Sequence, residues 1–201
     1  MPGTKVFHGV KRMKQPALLI IDMQNDFVRA GAPMQMPGAE PIIANIRKVL
    51  EVFRNLGYPV FHVVRVHRSD GSDVEIFRRE IFKSVPFAVE GTGGVEIVGE
   101  LRPLQGEYLI RKNRMSAFMN TDLDLLLRSR GTDTVFITGI QTPNCIRTTV
   151  FDAAALGYHT VLVEDAVAAR TSAVHEANLL DMANIGTVMI STDRTADLVR
   201  G

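Results

Sequence analysis

The sequence has one cysteine, no tryptophan, no long apolar run and no excess of either charge. A single thiol makes neither an internal disulfide nor a cysteine-cluster metal site. Such a thiol persists most safely in a reducing compartment, so a cytoplasmic location is expected. The strongly apolar stretch Ala17–Ile21 is far too short to span a bilayer, so no membrane partner is expected. No sustained apolar segment follows Lys5, Lys11, Arg12 and Lys14, and the chain does not read as carrying a secretory signal. Lys and Arg number 23 against 22 Asp and Glu, so there is no electrostatic footprint for nucleic acid. The turn after the first apolar run lacks Gly-x-Gly-x-x-Gly, which removes the phosphate cradle of a dinucleotide-binding enzyme. Gly91-Thr92-Gly93-Gly94 is glycine-rich but follows no strand, and reads as a flexible loop. What remains is 201 residues with 46% apolar and 22% charged side chains, the composition of one globular domain with a sizeable core.

Residues 1–15 read as an N-terminal arm and 16–201 as a single domain. Within it, short apolar runs alternate with helical patterns. Ala17–Met23, Val60–Val66, Tyr108–Arg111, Thr134–Thr138, Thr160–Glu164 and Thr187–Ser191 read as strands. Pro41–Leu56 carries Ile42, Ile43, Ile46, Val49, Leu50 and Phe53 at helical spacing, stopped by Gly57 and Pro59. Helices are also predicted over Asp122–Arg130 (capped by Thr121), Asn144–Leu156 and Ser172–Ile185. Residues 68–106 look irregular, with short helices around Val74–Phe82 and Val95–Leu101. Continuous apolar strands separated by helices predict an α/β fold, a three-layer α/β/α domain around a mostly parallel sheet of about six strands. Ligands of such sheets bind beyond the carboxyl ends of the strands.

Three reactive side chains fall near those ends. Cys145 lies just beyond Thr138. Taken alone, a free cysteine reads as a small buried hydrophobe. Thr142-Pro143 offers a cap and a first helical position, which places Cys145 in a first turn whose dipole favours a thiolate. Asp22 ends an apolar run and opens the string Gln24-Asn25-Asp26; as a half-buried carboxylate it would serve as a base. Lys112 follows Tyr108–Arg111, and spacing alone does not separate it from Arg111 and Arg114. A nucleophile, a base and a cation are the parts of an activated nucleophile for acyl transfer. Arg78-Arg79 reads as a solvated helix face, and His175 as packing or surface.

The strings Ile21-Asp22-Met23-Gln24-Asn25-Asp26-Phe27, Lys112 with Ser116-Ala117-Phe118, and Gly139-Ile140-Gln141-Thr142-Pro143-Asn144-Cys145 resemble the isochorismatase-like cysteine hydrolases. Nicotinamidases, N-carbamoylsarcosine amidases and ureidoacrylate amidohydrolases belong to that superfamily. The resemblance runs over roughly residues 16–192 in motif order. It implies a catalytic triad of Asp22, Lys112 and Cys145. It implies a cis peptide bond at Ile140–Gln141, and an oxyanion hole from the backbone N–H groups of Gln141 and Cys145. Phe27 and Phe118 match positions that wall the substrate pocket. Many nicotinamidases carry a metal-binding Asp-x-His pair where this chain has Arg65-Val66-His67, so no metal and no other cofactor is expected. Arg65 or His67 is then a candidate to hold a polar or anionic part of the substrate. The presence of Cys145 disfavours isochorismate hydrolysis, because true isochorismatases lack that cysteine. The implied activity is hydrolysis of a small amide or a ureido or carbamoyl C–N bond through a thioester. The implied assembly is a homodimer or homotetramer. The competing expectation is a binding or scaffold protein that keeps the fold without the chemistry.

Overall fold

The computed structural model describes Met13 and residues 15–200. Most of the arm expected over residues 1–15 therefore lies outside the described residues. Six strands form one sheet: β1 (Pro16–Ile21), β2 (Val60–Arg65), β3 (Tyr108–Lys112), β4 (Thr134–Ile140), β5 (His159–Ala168) and β6 (Val188–Ile190). Their spatial order is β3-β2-β1-β4-β5-β6, and every pairing is parallel. The helices are α1 (Asn25–Val28), α2 (Ile43–Leu56), α3 (Arg79–Ser84), α4 (Leu123–Ser129), α5 (Arg147–Ala155), α6 (Ser172–Asn184) and α7 (Thr195–Arg200).

Alternation along the strands sorts side chains into two cores. Leu18 and Ile20 of β1 face one way, with Ile46, Val49, Leu50 and Phe53 of α2 and Val199 of α7. Ala17, Leu19 and Ile21 face the other way, with Leu123 and Leu127 of α4, Val150 and Ala153 of α5 and Met182 of α6. Both faces of the sheet are thus covered, which is why most residues of its central strands are apolar. The spacing of α2 places Ile43, Ile46, Val49, Leu50 and Phe53 on one buried stripe. Each such side chain contributes about 1.5–3 kcal/mol relative to exposure. Gly57 ends α2 in the left-handed conformation at φ 73°, its N–H donating to Arg54 and Phe53 carbonyls.

Several elements differ from the sequence expectation. β5 runs four residues beyond Glu164, because Glu164 and Asp165 face solvent while the strand continues to Ala168. Asp165 instead accepts hydrogen bonds from the Thr192 N–H and hydroxyl, each at 2.8 Å. The helix expected from Asn144 begins as a π-helical turn over Thr142–Ile146 before α5. Thr142 does not cap it: its hydroxyl is 3.0 Å from His175 Nδ1. Thr121 does accept from the Leu123 N–H at 3.3 Å, and α4 starts there. The glycine-rich stretch contains a 3-10 turn over Gly93–Val95.

The carboxyl ends of the four strands β3, β2, β1 and β4 stand side by side. Arg65 and Lys112 are register partners at the ends of β2 and β3. Ile21 pairs with Val63 on one side and Gly139 on the other. Gly139 has φ 108°, and a β-carbon there would lie 2.1 Å from the Ile21 carbonyl oxygen. Only glycine lets β4 approach β1 this closely before the chain turns toward Cys145.

Candidate active site

The polar string after β1 is mostly an anchor. Gln24 is fully buried and its amide pairs with the backbone at the end of β2. Its Nε2 donates to the Arg65 and Val95 carbonyls, each at 2.8 Å, and its Oε1 accepts from the Arg65 N–H at 2.7 Å. Asn25 Nδ2 donates to the Gly93 carbonyl at 2.8 Å. Asp26 Oδ2 accepts from the Ala88 N–H at 2.7 Å and packs where a β-carbon on Gly94 would sit. These three side chains tie residues 88–95 to the turn after β1, and Gln24 also fixes the end of β2.

That arrangement frees Asp22 to turn inward. It adopts φ 55°, a left-handed conformation that aspartate tolerates better than most residues. Its N–H donates to Val63 and its carbonyl accepts from Gln24, at 2.8 and 2.9 Å. One carboxylate oxygen, Oδ2, accepts from Lys112 Nζ at 2.8 Å. The other, Oδ1, is buried with no hydrogen-bond partner among the described residues. Lys112 Nζ also donates to the Arg114 carbonyl at 3.2 Å and lies 3.5 Å from Cys145 Sγ. Lys112, Asp22 and Cys145 are each at most 4% exposed.

The sulfur has a second cation beside it. Arg65 Nη2 is 3.6 Å from Cys145 Sγ and 3.1 Å from the Arg114 carbonyl. Its Nη1 pairs with Glu75 Oε1 at 2.9 Å. Burial alone would lower the guanidinium, but the charges of Cys145, Asp22 and Glu75 prevail and hold it above its ordinary value. Cys145 is fixed from behind. Its carbonyl accepts from Thr149 Oγ1 at 2.6 Å, and the same hydroxyl accepts from the Ala117 N–H at 3.0 Å. The segment after β3 and the turn carrying the sulfur therefore share one hydroxyl.

A tight cleft of about 30 Å³ opens on the sulfur, lined by Asp22, Phe27, Arg65, Arg78, Ile140, Gln141, Asn144 and Cys145. The Ile140–Gln141 peptide bond at its base is cis. Of the residues singled out in the sequence, Asp22, Lys112, Cys145, Gln141, Phe27 and Arg65 converge here. Phe118 and His67 do not line this cleft. Phe118 stacks on Tyr158, ring centroids 5.9 Å apart, within the core beneath α4 and α5. His67 is fully buried, edge-on to Phe82 and Phe87, with Nδ1 3.4 Å from Asp73 Oδ1. Burial, and then Arg65, push its pKa down to about 4 despite Asp73 and Glu75, so the ring is neutral.

Two residues of the site were read otherwise or not at all in the sequence. Arg78, taken for a solvated helix face, is half-buried and lines the cleft from a 3-10 turn over Ile76–Arg78. Glu75, the partner of Arg65, carried no motif. Its segment is irregular, so no periodicity pointed inward. The surroundings of His67 do not suit a divalent ion. The nearby Arg65 charge lowers the His67 pKa and would repel a cation, and no cluster of three His, Cys, Asp or Glu side chains among the described residues is arranged to hold one. No helix among the described residues is long and apolar enough to cross a membrane.

Comparison with known proteins gives a consistent picture. The isochorismatase domain family matches residues 16–194. The chain is 47% identical over 180 residues to a probable inactive nicotinamidase of Arabidopsis thaliana, covering 88% of this chain and 92% of that one. It is 33% identical to N-carbamoylsarcosine amidase of an Arthrobacter species, over 95% of this chain and 76% of the relative. The crystal structure of an isochorismatase family protein from Desulfovibrio vulgaris superposes with a TM-score of 0.89 at 46% identity, covering 93% of this chain and 99% of that one.

Proposed function

Because the chain belongs to the isochorismatase family, we propose that it is a cysteine-dependent hydrolase that cleaves the C–N bond of a small amide, ureido or carbamoyl compound. One observation carries the reading. Lys112 Nζ lies 3.5 Å from Cys145 Sγ and 2.8 Å from Asp22 Oδ2, so the cation bridges nucleophile and carboxylate. The naming of one relative as an amidase of a carbamoyl compound supports the substrate class.

The chemistry follows from the placement. Asp22 accepts the thiol proton of Cys145 through the oxygen that has no other partner. Lys112 and Arg65 stabilise the resulting thiolate, which attacks the carbonyl carbon. The backbone N–H groups of Gln141 and Cys145 are proposed to hold the oxyanion; losing one such donor lowers rates by on the order of 10²–10³. Protonated Asp22 returns its proton to the leaving nitrogen as the C–N bond breaks, leaving a thioester. Asp22 then takes a proton from water, the water oxygen attacks the thioester, and the thiol is regenerated with release of the acid. No step uses a metal.

A second reading, a fold kept for binding without chemistry, is favoured by the relative named as a probable inactive nicotinamidase. One experiment separates the two. Small primary amides, ureides and carbamoyl acids are assayed for ammonia release, and the protein is quenched during turnover for intact-mass measurement. The hydrolase reading expects an acyl adduct on Cys145, and a folded Cys145→Ala protein without turnover. Undiminished ammonia release by Cys145→Ala refutes it.

A further inference from the structure

The cleft contains one cation with no partner. Lys112 is paired with Asp22 and Arg65 with Glu75. Arg78 lines the same cleft, yet no carboxylate among the described residues stands within ion-pair distance of its guanidinium. Its one side-chain contact of note is stacking over the Phe77 ring, 5.1 Å to the centroid. Stacking orients a planar guanidinium without using its hydrogen-bond donors. Burial, and then the nearby Arg65, lower the pKa of Arg78, with Glu75, Cys145 and Asp22 opposing. The neighbourhood therefore disfavours this charge until an anion arrives.

The charge balance of the site says what that anion is. Three cations, Arg65, Arg78 and Lys112, meet two carboxylates, Asp22 and Glu75. Because the Cys145 thiol passes its proton to Asp22, one positive charge is left over whether that proton sits on sulfur or on the carboxylate. Acylation, with that proton passed from Asp22 to the leaving nitrogen, leaves the same positive charge unmatched. A substrate with one negative charge restores neutrality through the acyl-enzyme stage; a neutral amide does not.

We propose that Arg78 clamps a carboxylate of the substrate, so that the site selects small amides or ureides bearing one carboxylate group. This rests on the hydrolase reading for its meaning, but binding tests it separately. Arg78 is a specificity residue here. It sits on the wall of the cleft, and Lys112 and Arg65 already contact the sulfur.

The test compares succinamate and N-carbamoylglycine with their methyl esters, which differ only in that charge. In the enzyme, kcat/KM should favour each acid over its ester, and Arg78→Gln should shrink that ratio about 10- to 100-fold, chiefly through KM. Arg78→Lys should restore part of it, since it keeps the charge and loses the fork. Calorimetric titration of the same compounds onto Cys145→Ala, with and without Arg78→Gln, reads the clamp without turnover. Tighter binding of the acids, lost with Arg78, supports the clamp even if no compound is hydrolysed, an outcome that would count against the hydrolase alone. Turnover with equal preference for acid and ester overturns the clamp and leaves the hydrolase standing. Failure of both acids to bind, or an unchanged ratio in a folded Arg78→Gln protein, also overturns it.

Discussion

Removing the charge of Arg65 separates what holds the site together from what makes its sulfur reactive. The guanidinium is 3.6 Å from Cys145 Sγ. Two unit charges at that distance interact by about 4–5 kcal/mol at an effective dielectric of ~20. The nearby Glu75 carboxylate, 2.9 Å from the same guanidinium, offsets part of this. A net stabilisation of the thiolate of about 1.5–3 kcal/mol remains, in line with a hydrogen bond to a charged group. Arg65→Gln alone is a poor test, because it strands Glu75, whose side chain is only 11% exposed. Breaking a buried pair from one side costs about 3–5 kcal/mol. Arg65→Gln with Glu75→Gln removes both charges and should recover most of that stability, yet still lack the cation beside sulfur. The assay is alkylation by iodoacetamide, a neutral reagent, followed by intact mass at neutral pH, with urea unfolding alongside. The double variant should unfold at a higher urea concentration than Arg65→Gln while alkylating about 10- to 100-fold more slowly than the parent protein. Alkylation at the parent rate by the double variant would refute the reasoning and leave Lys112 as the only cation that matters to the sulfur.

Gln24→Leu removes three short hydrogen bonds to backbone, two to Arg65 at the end of β2 and one to Val95, and should cost about 3–5 kcal/mol in urea unfolding. Its effect should reach the sulfur as well, because Gln24 holds the Arg65 backbone; unchanged stability would show that the amide is replaceable by water. Acid should destabilise the protein in two stages. His67 is neutral in the fold with a pKa of about 4 against an ordinary 6.5, so the unfolded chain binds its proton first. Stability should therefore fall by up to ~3 kcal/mol as pH drops from 6.5 toward 4. Glu107 is buried, which alone would raise its pKa, but Arg54, the Leu104 N–H and His62 bring it down to about 2. Its contribution is present above its ordinary 4.5 and is lost as pH falls through that range toward 2. His67→Leu should flatten the first stage measured by urea midpoints; an equally steep decline would acquit His67.

The strands were legible because burial on both faces keeps most of their residues apolar. That signal failed where the physics differed. Glu164 and Asp165 break the apolar run, but backbone pairing carries β5 on to Ala168 with those side chains in water. The π-helical turn before α5 has no periodic signature in five residues, and Thr142-Pro143 mimics an ordinary cap. α7 spans only Thr195–Arg200, too short for a 3.6-residue period to show.

The site divides along the same line. Asp22, Lys112 and Cys145 could be picked out because each follows an apolar run, and the strand order places those ends together. Spacing could not choose Lys112 over Arg111, but register does. On β3, Ile110 and Lys112 face the core that holds Cys145, whereas Arg111 points away and pairs with Glu90 at the surface. Register likewise sets Arg65 beside Lys112 on that face, where its guanidinium meets the sulfur. Arg78 obeys no such rule. It comes from an irregular segment held by Arg65 through Glu75 and by Arg114, whose Nη1 donates to the Asp73 carbonyl at 2.6 Å. Selectivity in this cleft is thus set by the part of the chain with the weakest local signal, while the reactive groups come from the part with the strongest. A sequence that kept every strand-end residue and replaced Arg78 would be expected to keep the thiol chemistry and change what it acts on.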